Sequence, residues 1–261
     1  VVEGEVRTYY EGGELKSESN FKNGRLNGQS VTYYLSQGKK EEANYVDGTP
    51  TGKAFTYFEN GQIASSFFYR EGVIEGKYLT FFENGELEWA YTYADGYKNG
   101  PYKHYYQDGE LRAVGKFIDG LLDGQVFRYY ENGNKQEELN YQKGAKWGEN
   151  KYYYISGELL RVENYTKLAK DARFKEYHKN GEVSIEKTYK NGIPVGIWQS
   201  YNDAGALIEE TPFSNGKING YRKYYEKGLL VKRSQYVNNS KRGTETSYYP
   251  SGIAKSQTTF Y

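Results

Sequence analysis

Glycine stands at Gly4, Gly28, Gly52, Gly76, Gly100, Gly124 and Gly148, and again at Gly196 and Gly220, a spacing of 24 residues with Ala172 in the one missing place. A fixed period of this length means a single supersecondary unit stacked on copies of itself. One more unit opens at Gly243 after a single-residue deletion near Gly228. The eleven unit starts therefore fall near 4, 28, 52, 76, 100, 124, 148, 172, 196, 220 and 243, and the expected organisation is one array over 1–261.

Positions within a unit are counted from its start as offset 0. Offset 5 is Tyr or Phe throughout, as at Tyr9, Tyr33, Tyr57, Phe81, Tyr105 and Tyr129, and offset 17 is equally aromatic, as at Phe21, Tyr45, Tyr69, Tyr93 and Phe117. Two turn signals lie between them. Asn60-Gly61, Asn84-Gly85 and Asn132-Gly133 belong to the first series, Asp47-Gly48, Asp95-Gly96 and Asp119-Gly120 to the second. Asn-Gly and Asp-Gly tolerate the positive φ of tight hairpins. Each unit thus reads as strand, turn, strand, turn, rich in Tyr, Phe, Thr and Val.

The pattern predicts an all-β fold: an elongated, twisted, single-layer antiparallel β-meander of eleven 24-residue hairpin repeats, or twenty-two strands. With turns near offsets 8–9 and 20–21, offset 6 (Tyr10, Tyr34, Phe58) is expected opposite offset 11 (Leu15, Ile63, Leu87). The offset 0 glycine should then lie between two offset 17 rings that cover its bare backbone. One face should be apolar and the other wet. Sheets this large usually curl, so the apolar face is expected to be concave.

The unit Gly76-Lys77-Tyr78-Leu79-Thr80-Phe81-Phe82-Glu83-Asn84-Gly85-Glu86-Leu87, followed by Tyr93-Ala94-Asp95-Gly96 and Gly100, closely resembles the bacterial variant of the MORN repeat. The resemblance runs over essentially the whole chain, with departures at 168–172, where both glycines are lost, and at the deletion near Gly228. Similar bacterial proteins are often labelled YwqK-type antitoxins, and others look like exported or surface proteins. The resemblance implies a binding role without a catalytic centre.

The residue inventory points the same way. The chain has no Cys, which excludes disulfides, thiolate metal sites and a cysteine nucleophile. Lys and Arg (35) balance Asp and Glu (34), so no global field favours nucleic acid or anionic membrane. The mean hydropathy is −0.93, and no apolar run is long enough for a transmembrane helix. His104 and His178 lie three units apart and are not expected to share a metal, and His178 is expected to pack in place of the usual offset 6 ring. Glu83, Glu86 and Glu88 flank a turn, where solvated charge is the expected role. No enzyme, cofactor or metal site is expected.

A binding surface emerges once the periodic rings are set aside. Eight off-pattern aromatics crowd adjacent units: Phe55, Phe67, Phe68, Tyr78, Trp89, Tyr91, Tyr97 and Tyr102. The stretch 58–96 carries a net charge of −5. By strand parity Phe67, Tyr78, Trp89, Tyr91 and Tyr102 share the apolar face, and with Glu83, Glu86 and Glu88 they form the predicted protein-binding patch. A second candidate, 217–242, has a net charge of +7 interleaved with Tyr221, Tyr224, Tyr225 and Tyr236. It is the one segment with a flavour of nucleic acid or anionic lipid.

The expected partner is a protein: a host-surface protein for an exported or surface-associated bacterial adhesin, or a bacterial toxin for a cytoplasmic immunity protein. Self-association through unpaired terminal strands is a further expectation. Carbohydrate binding ranks lower, because sugar sites need fixed polar groups beside the rings.

Overall fold

The computed structural model describes residues 1–166 and 170–261. The hairpin of the fourth unit shows how the repeat is built. Strand Gly76–Phe81 runs antiparallel to Leu87–Ala94, with Gly76 opposite Tyr93, Tyr78 opposite Tyr91, Thr80 opposite Trp89 and Phe81 opposite Leu87. Glu88 is the extra residue of a bulge. Offset 5, not offset 6, therefore faces offset 11. The reason is that Phe82 belongs to the turn: its N–H donates to Glu86 O at 2.8 Å and its carbonyl accepts from Gly85 N at 2.9 Å.

The two turn series differ in chemistry. In the first, Gly85 takes the left-handed φ of 89°, while the Asn84 side chain is the working part. Its Oδ1 accepts from Glu86 N and its Nδ2 donates to Gln107 O in the next unit. In the second, Asp95 and Gly96 both have positive φ, 50° and 79°, the two-residue turn that suits strand twist.

The period-setting glycine does something the sequence pattern did not predict. Gly100 faces only one offset 17 ring, Phe117, because on its other side Tyr93 pairs with Lys98 and Ala90 with Lys103, so that the four residues 99–102 bulge opposite Tyr91 and Thr92. Its φ is 106°, which costs a Cβ-bearing residue about 1–2 kcal/mol. Ala172 proves the point. There the glycine is missing, the ladder runs on without a bulge, and Ala172 lies between two offset 17 rings, Tyr165 and Tyr189. The expected ring cover over glycine occurs instead at Gly115, whose cross-strand partner is Tyr102. A Cβ there would meet Tyr102 Cε1 at 2.9 Å and Val126 Cγ2 at 2.8 Å.

All 27 strands among the described residues pair antiparallel, as the meander requires. Five are two-residue pieces, such as Tyr97–Lys98 and Leu121–Leu122, cut by the bulge from the strand they lead into. Joining each to that strand restores the expected twenty-two. The deletion near Gly228 is absorbed by a two-residue turn, Lys227 and Gly228 both with positive φ, and the strands Gly220–Glu226 and Leu229–Val237 stay paired. Of the departure at 168–172, residues 167–169 lie outside the described residues.

The chain divides into two compact units, Val1–Gly133 and Asn134–Tyr261. In the first, Val31, Ala54, Tyr102, Ala113 and Val126 are buried; in the second, Leu139, Tyr152, Val162 and Ala172. Both are held by bonds repeated from one hairpin to the next. An offset 6 phenol donates to the offset 5 carbonyl of the following repeat, as Tyr34 to Tyr57 O (2.7 Å) and Tyr106 to Tyr129 O (2.8 Å). His178 fills the same place and its Nε2 donates to Tyr201 O at 3.0 Å. Second turns are linked through backbone: Gly96 N to Ile74 O in the first unit, Gly216 N to Pro194 O in the second. Each bond contributes on the order of 1 kcal/mol, so cohesion accumulates repeat by repeat.

Candidate binding face

Cross-strand partners point to the same side of a sheet, so the register assigns the faces. Offsets 0, 2, 4, 13, 15 and 17 share one face, and offsets 1, 3, 5, 14 and 16 the other. The second face mixes polar side chains with apolar ones such as Val31, Phe55 and Leu79. Tyr33 donates to Glu18 and Tyr57 to Glu42 across it. Burial and the Glu42 bond push the Tyr57 phenol up to about 12.

On the first face of Val1–Gly133 the five predicted rings come together. Phe67 stacks on Tyr78, with centroids 4.9 Å apart and planes at 14°. Trp89 stacks on Tyr91 at 5.1 Å and 10°, and Tyr102 lies within 6.4 Å of both Trp89 and Tyr91. Aromatic contacts of this kind contribute about 0.5–1.5 kcal/mol each beyond burial. Phe67, Tyr78, Trp89 and Tyr91 remain partly exposed, while Tyr102 is 6% exposed. Phe68 and Tyr97 lie elsewhere: Phe68 faces Lys53 on the second face, and Tyr97 stands beside the second turn, 65% exposed.

The predicted carboxylates separate. Glu88 reaches the strip as the bulge residue beside Trp89, and Thr80 Oγ1 donates to its Oε2 at 3.0 Å. Glu83 and Glu86 are exposed in the first turn, bound into the asparagine series through their backbones. Glu71 and Asp95 sit in second turns, at the opposite ends of the strands. Acid thus lines both turn edges while rings cross the face between them.

Two strip members escaped the linear reading. Lys98 Nζ lies 3.6 Å from the Tyr91 centroid and 5.5 Å from that of Phe117, and burial lowers its pKa. His104 is 9% exposed and stacks on Trp89 with centroids 3.5 Å apart and planes at 7°. Burial, reinforced by Arg112 and Arg128, brings its pKa down to about 4, so the imidazole is neutral at pH 7. Both lie just past 58–96 in sequence and fold back onto the strip across a strand pair. Burial likewise pushes the Tyr91 phenol up to about 12.

The first face of Asn134–Tyr261 carries a ring ladder, Tyr165, Phe174, Tyr189, Trp198 and Phe213, with successive centroids 4.3–5.9 Å apart. Beside it lies a charged cluster that the sequence did not announce. Glu163, 5% exposed, accepts from Tyr152 (2.8 Å), Tyr165 (3.0 Å) and Lys146 (3.2 Å) and pairs with Arg161 at 3.0 Å. Its one signal is a carboxylate at offset 15, where other units place Phe67 or Tyr91. Among the described residues no group of three or more His, Asp or Glu side chains is placed to hold a metal ion.

Three of the eight basic residues in 217–242 pair with acids outside it. Arg222 binds Glu209 through Nε and Nη2, both at 2.9 Å, Lys223 pairs with Glu210 at 3.0 Å and Lys241 with Glu245 at 2.6 Å. Glu209 and Glu210 lie on the preceding strand, and Lys232 and Arg233 lie over Tyr224 and Tyr221. The linear charge count therefore overstates the field there.

The geometry is that of a β-hairpin repeat scaffold. Five segments, residues 2–23, 50–72, 98–119, 122–143 and 170–191, match the MORN repeat variant, which supports a MORN-repeat protein. No curated protein matches the chain. Among solved structures, the crystal structure of TcdB2-TccC3 aligns at 12% identity over 98% of this chain and 18% of that one, with a TM-score of 0.22. TcdB2-TccC3-Cdc42 aligns at 11% identity over 98% and 17%, TM-score 0.20. A Tc holotoxin pore of Photorhabdus luminescens aligns at 12% identity over 98% and 15%, TM-score 0.19. The chain spans less than a fifth of each of those chains.

Proposed function

We propose that the protein is a noncatalytic repeat scaffold that binds a protein partner through the ring strip of Val1–Gly133. One observation carries the reading: Phe67, Tyr78, Trp89 and Tyr91 form stacked, partly exposed pairs on one face, with buried Tyr102 beside Trp89 and Tyr91 and acidic turns at the borders. Rigid aromatic anchors lose little side-chain entropy on binding and dominate interface energetics. Acidic edges favour a partner surface with apolar side chains and a basic rim. In the setting we propose, the protein is exported and held at a bacterial surface, with a host-surface protein as partner.

The test is a pull-down from host-cell and bacterial lysates, comparing the intact chain with a triple variant, Phe67→Ser, Trp89→Ser and Tyr91→Ser, of equal circular dichroism. Loss of a specific partner in the triple variant is the expected result. A host protein among the lost partners supports the surface role; a bacterial toxin supports an immunity role instead. Identical capture by the two chains would refute the strip as the binding site.

A further inference from the structure

On the ring face of Asn134–Tyr261, Trp198 and Phe213 line a cleft of about 200 Å³ together with the polar groups of Glu209, Thr211 and Arg222. The two ring centroids lie 4.3 Å apart, and the indole is locked in place because Nε1 donates to Thr188 O at 3.3 Å. Its edge is thus committed while the ring remains half-exposed. In the same lining, Glu209 accepts two bonds from Arg222 and one, at 2.6 Å, from Thr211, which is 7% exposed and is the cross-strand partner of Trp198. The carboxylate keeps acceptor capacity beyond these three bonds, and the guanidinium has three further N–H donors. A fixed planar edge therefore offers donors and acceptors side by side, with no net charge. On the far side of the indole a second balanced pair, Lys187 and Glu176, bonds at 2.8 Å with Nζ 5.7 Å from the ring.

This combination has a specific chemical match. An apolar platform selects a ligand with a flat C–H face. Paired donors and acceptors at its border select adjacent hydroxyl groups, each of which both donates and accepts. Internal charge neutrality disfavours an anionic or cationic ligand, since either would compete with an existing bidentate ion pair. We propose that this cleft binds a neutral pyranose saccharide, stacked on Trp198 with its hydroxyl groups on the Arg222–Glu209 edge. The fixed polar groups that the regular repeat lacks are supplied here by Glu209, Thr211 and Arg222. The site is separate in sequence from the protein-binding strip, and either can fail without the other.

The test is isothermal titration of the full chain with neutral trisaccharides of glucose, mannose, galactose and N-acetylglucosamine up to about 10 mM, a range that captures dissociation constants of about 1 mM. The expected result is saturable binding of at least one, weakened at least about tenfold by Trp198→Ala and by Arg222→Lys, which keeps charge but loses the planar fork. If circular dichroism shows Trp198→Ala unfolded, Trp198→Phe takes its place and is expected to weaken binding while keeping the ladder. No binding of any trisaccharide by the unaltered chain overturns the proposal, as does equal binding by folded platform and Arg222 variants.

Discussion

Acidification should destabilise the first compact unit through one residue, His104. Its imidazole is buried against Trp89, and a pKa of about 4 in the folded chain compares with the ordinary imidazole value of 6.5. Above pH 6.5 both states are neutral and the residue adds no pH dependence. Below 6.5 the unfolded chain takes up the proton first, so stability falls as pH falls, until the folded state protonates near 4. Linkage between pH 7 and pH 5 then removes about 2 kcal/mol, from a shift worth about 1.4 kcal/mol per unit. The depressed carboxylates, such as Glu42 bonded by Lys39 and Glu245 bonded by Lys241, titrate below this window.

The assay is urea unfolding at pH 7 and pH 5, comparing the unaltered chain with His104→Phe, which keeps a ring on Trp89. The unaltered chain should lose about 2 kcal/mol more than the variant. Trp89 supplies a direct readout, since an imidazolium 3.5 Å away should quench its fluorescence with a native-state midpoint near pH 4. Equal losses in the two chains, or a native midpoint near 6.5, would refute the argument from burial.

Two further perturbations probe the scaffold. Gly115→Ala places a Cβ within 3.0 Å of Tyr102 and Val126, both buried, and should cost about 1–3 kcal/mol in urea unfolding; pairing it with Val126→Ala should recover part of that loss. Glu163→Gln removes the charge shared by Lys146 and Arg161 and should cost about 1.5–3 kcal/mol, while ultraviolet titration should show Tyr165 ionising below its present value of about 12.

Much of the scaffold was legible in the chain because a repeat states the same structural sentence many times. The 24-residue glycine period, the two turn series and strand parity led to an antiparallel hairpin meander, and parity put Phe67, Tyr78, Trp89, Tyr91 and Tyr102 on one face. The details that failed share a cause. Offset 6 was expected in a strand and belongs to the turn, and the offset 0 glycine was expected under two rings and instead occupies a bulge. Sequence spacing counts residues; it does not say which of them the ladder skips.

Charge showed the same limit more sharply. Windows of sequence found a net of +7 in 217–242, but Glu209, Glu210 and Glu245 lie just outside the window and pair with Arg222, Lys223 and Lys241. Lys98 and His104 joined the ring strip in the same way, across strands from residues earlier in the chain. The sequence by itself determined the repeat, its handful of turn types and the alternation of faces, because these depend on local backbone preference and period. Only tertiary structure decided which side chains meet, because antiparallel pairing joins residues up to 17 positions apart and a single bulge changes the partner. The buried Glu163 cluster and the Trp198 cleft are products of that pairing.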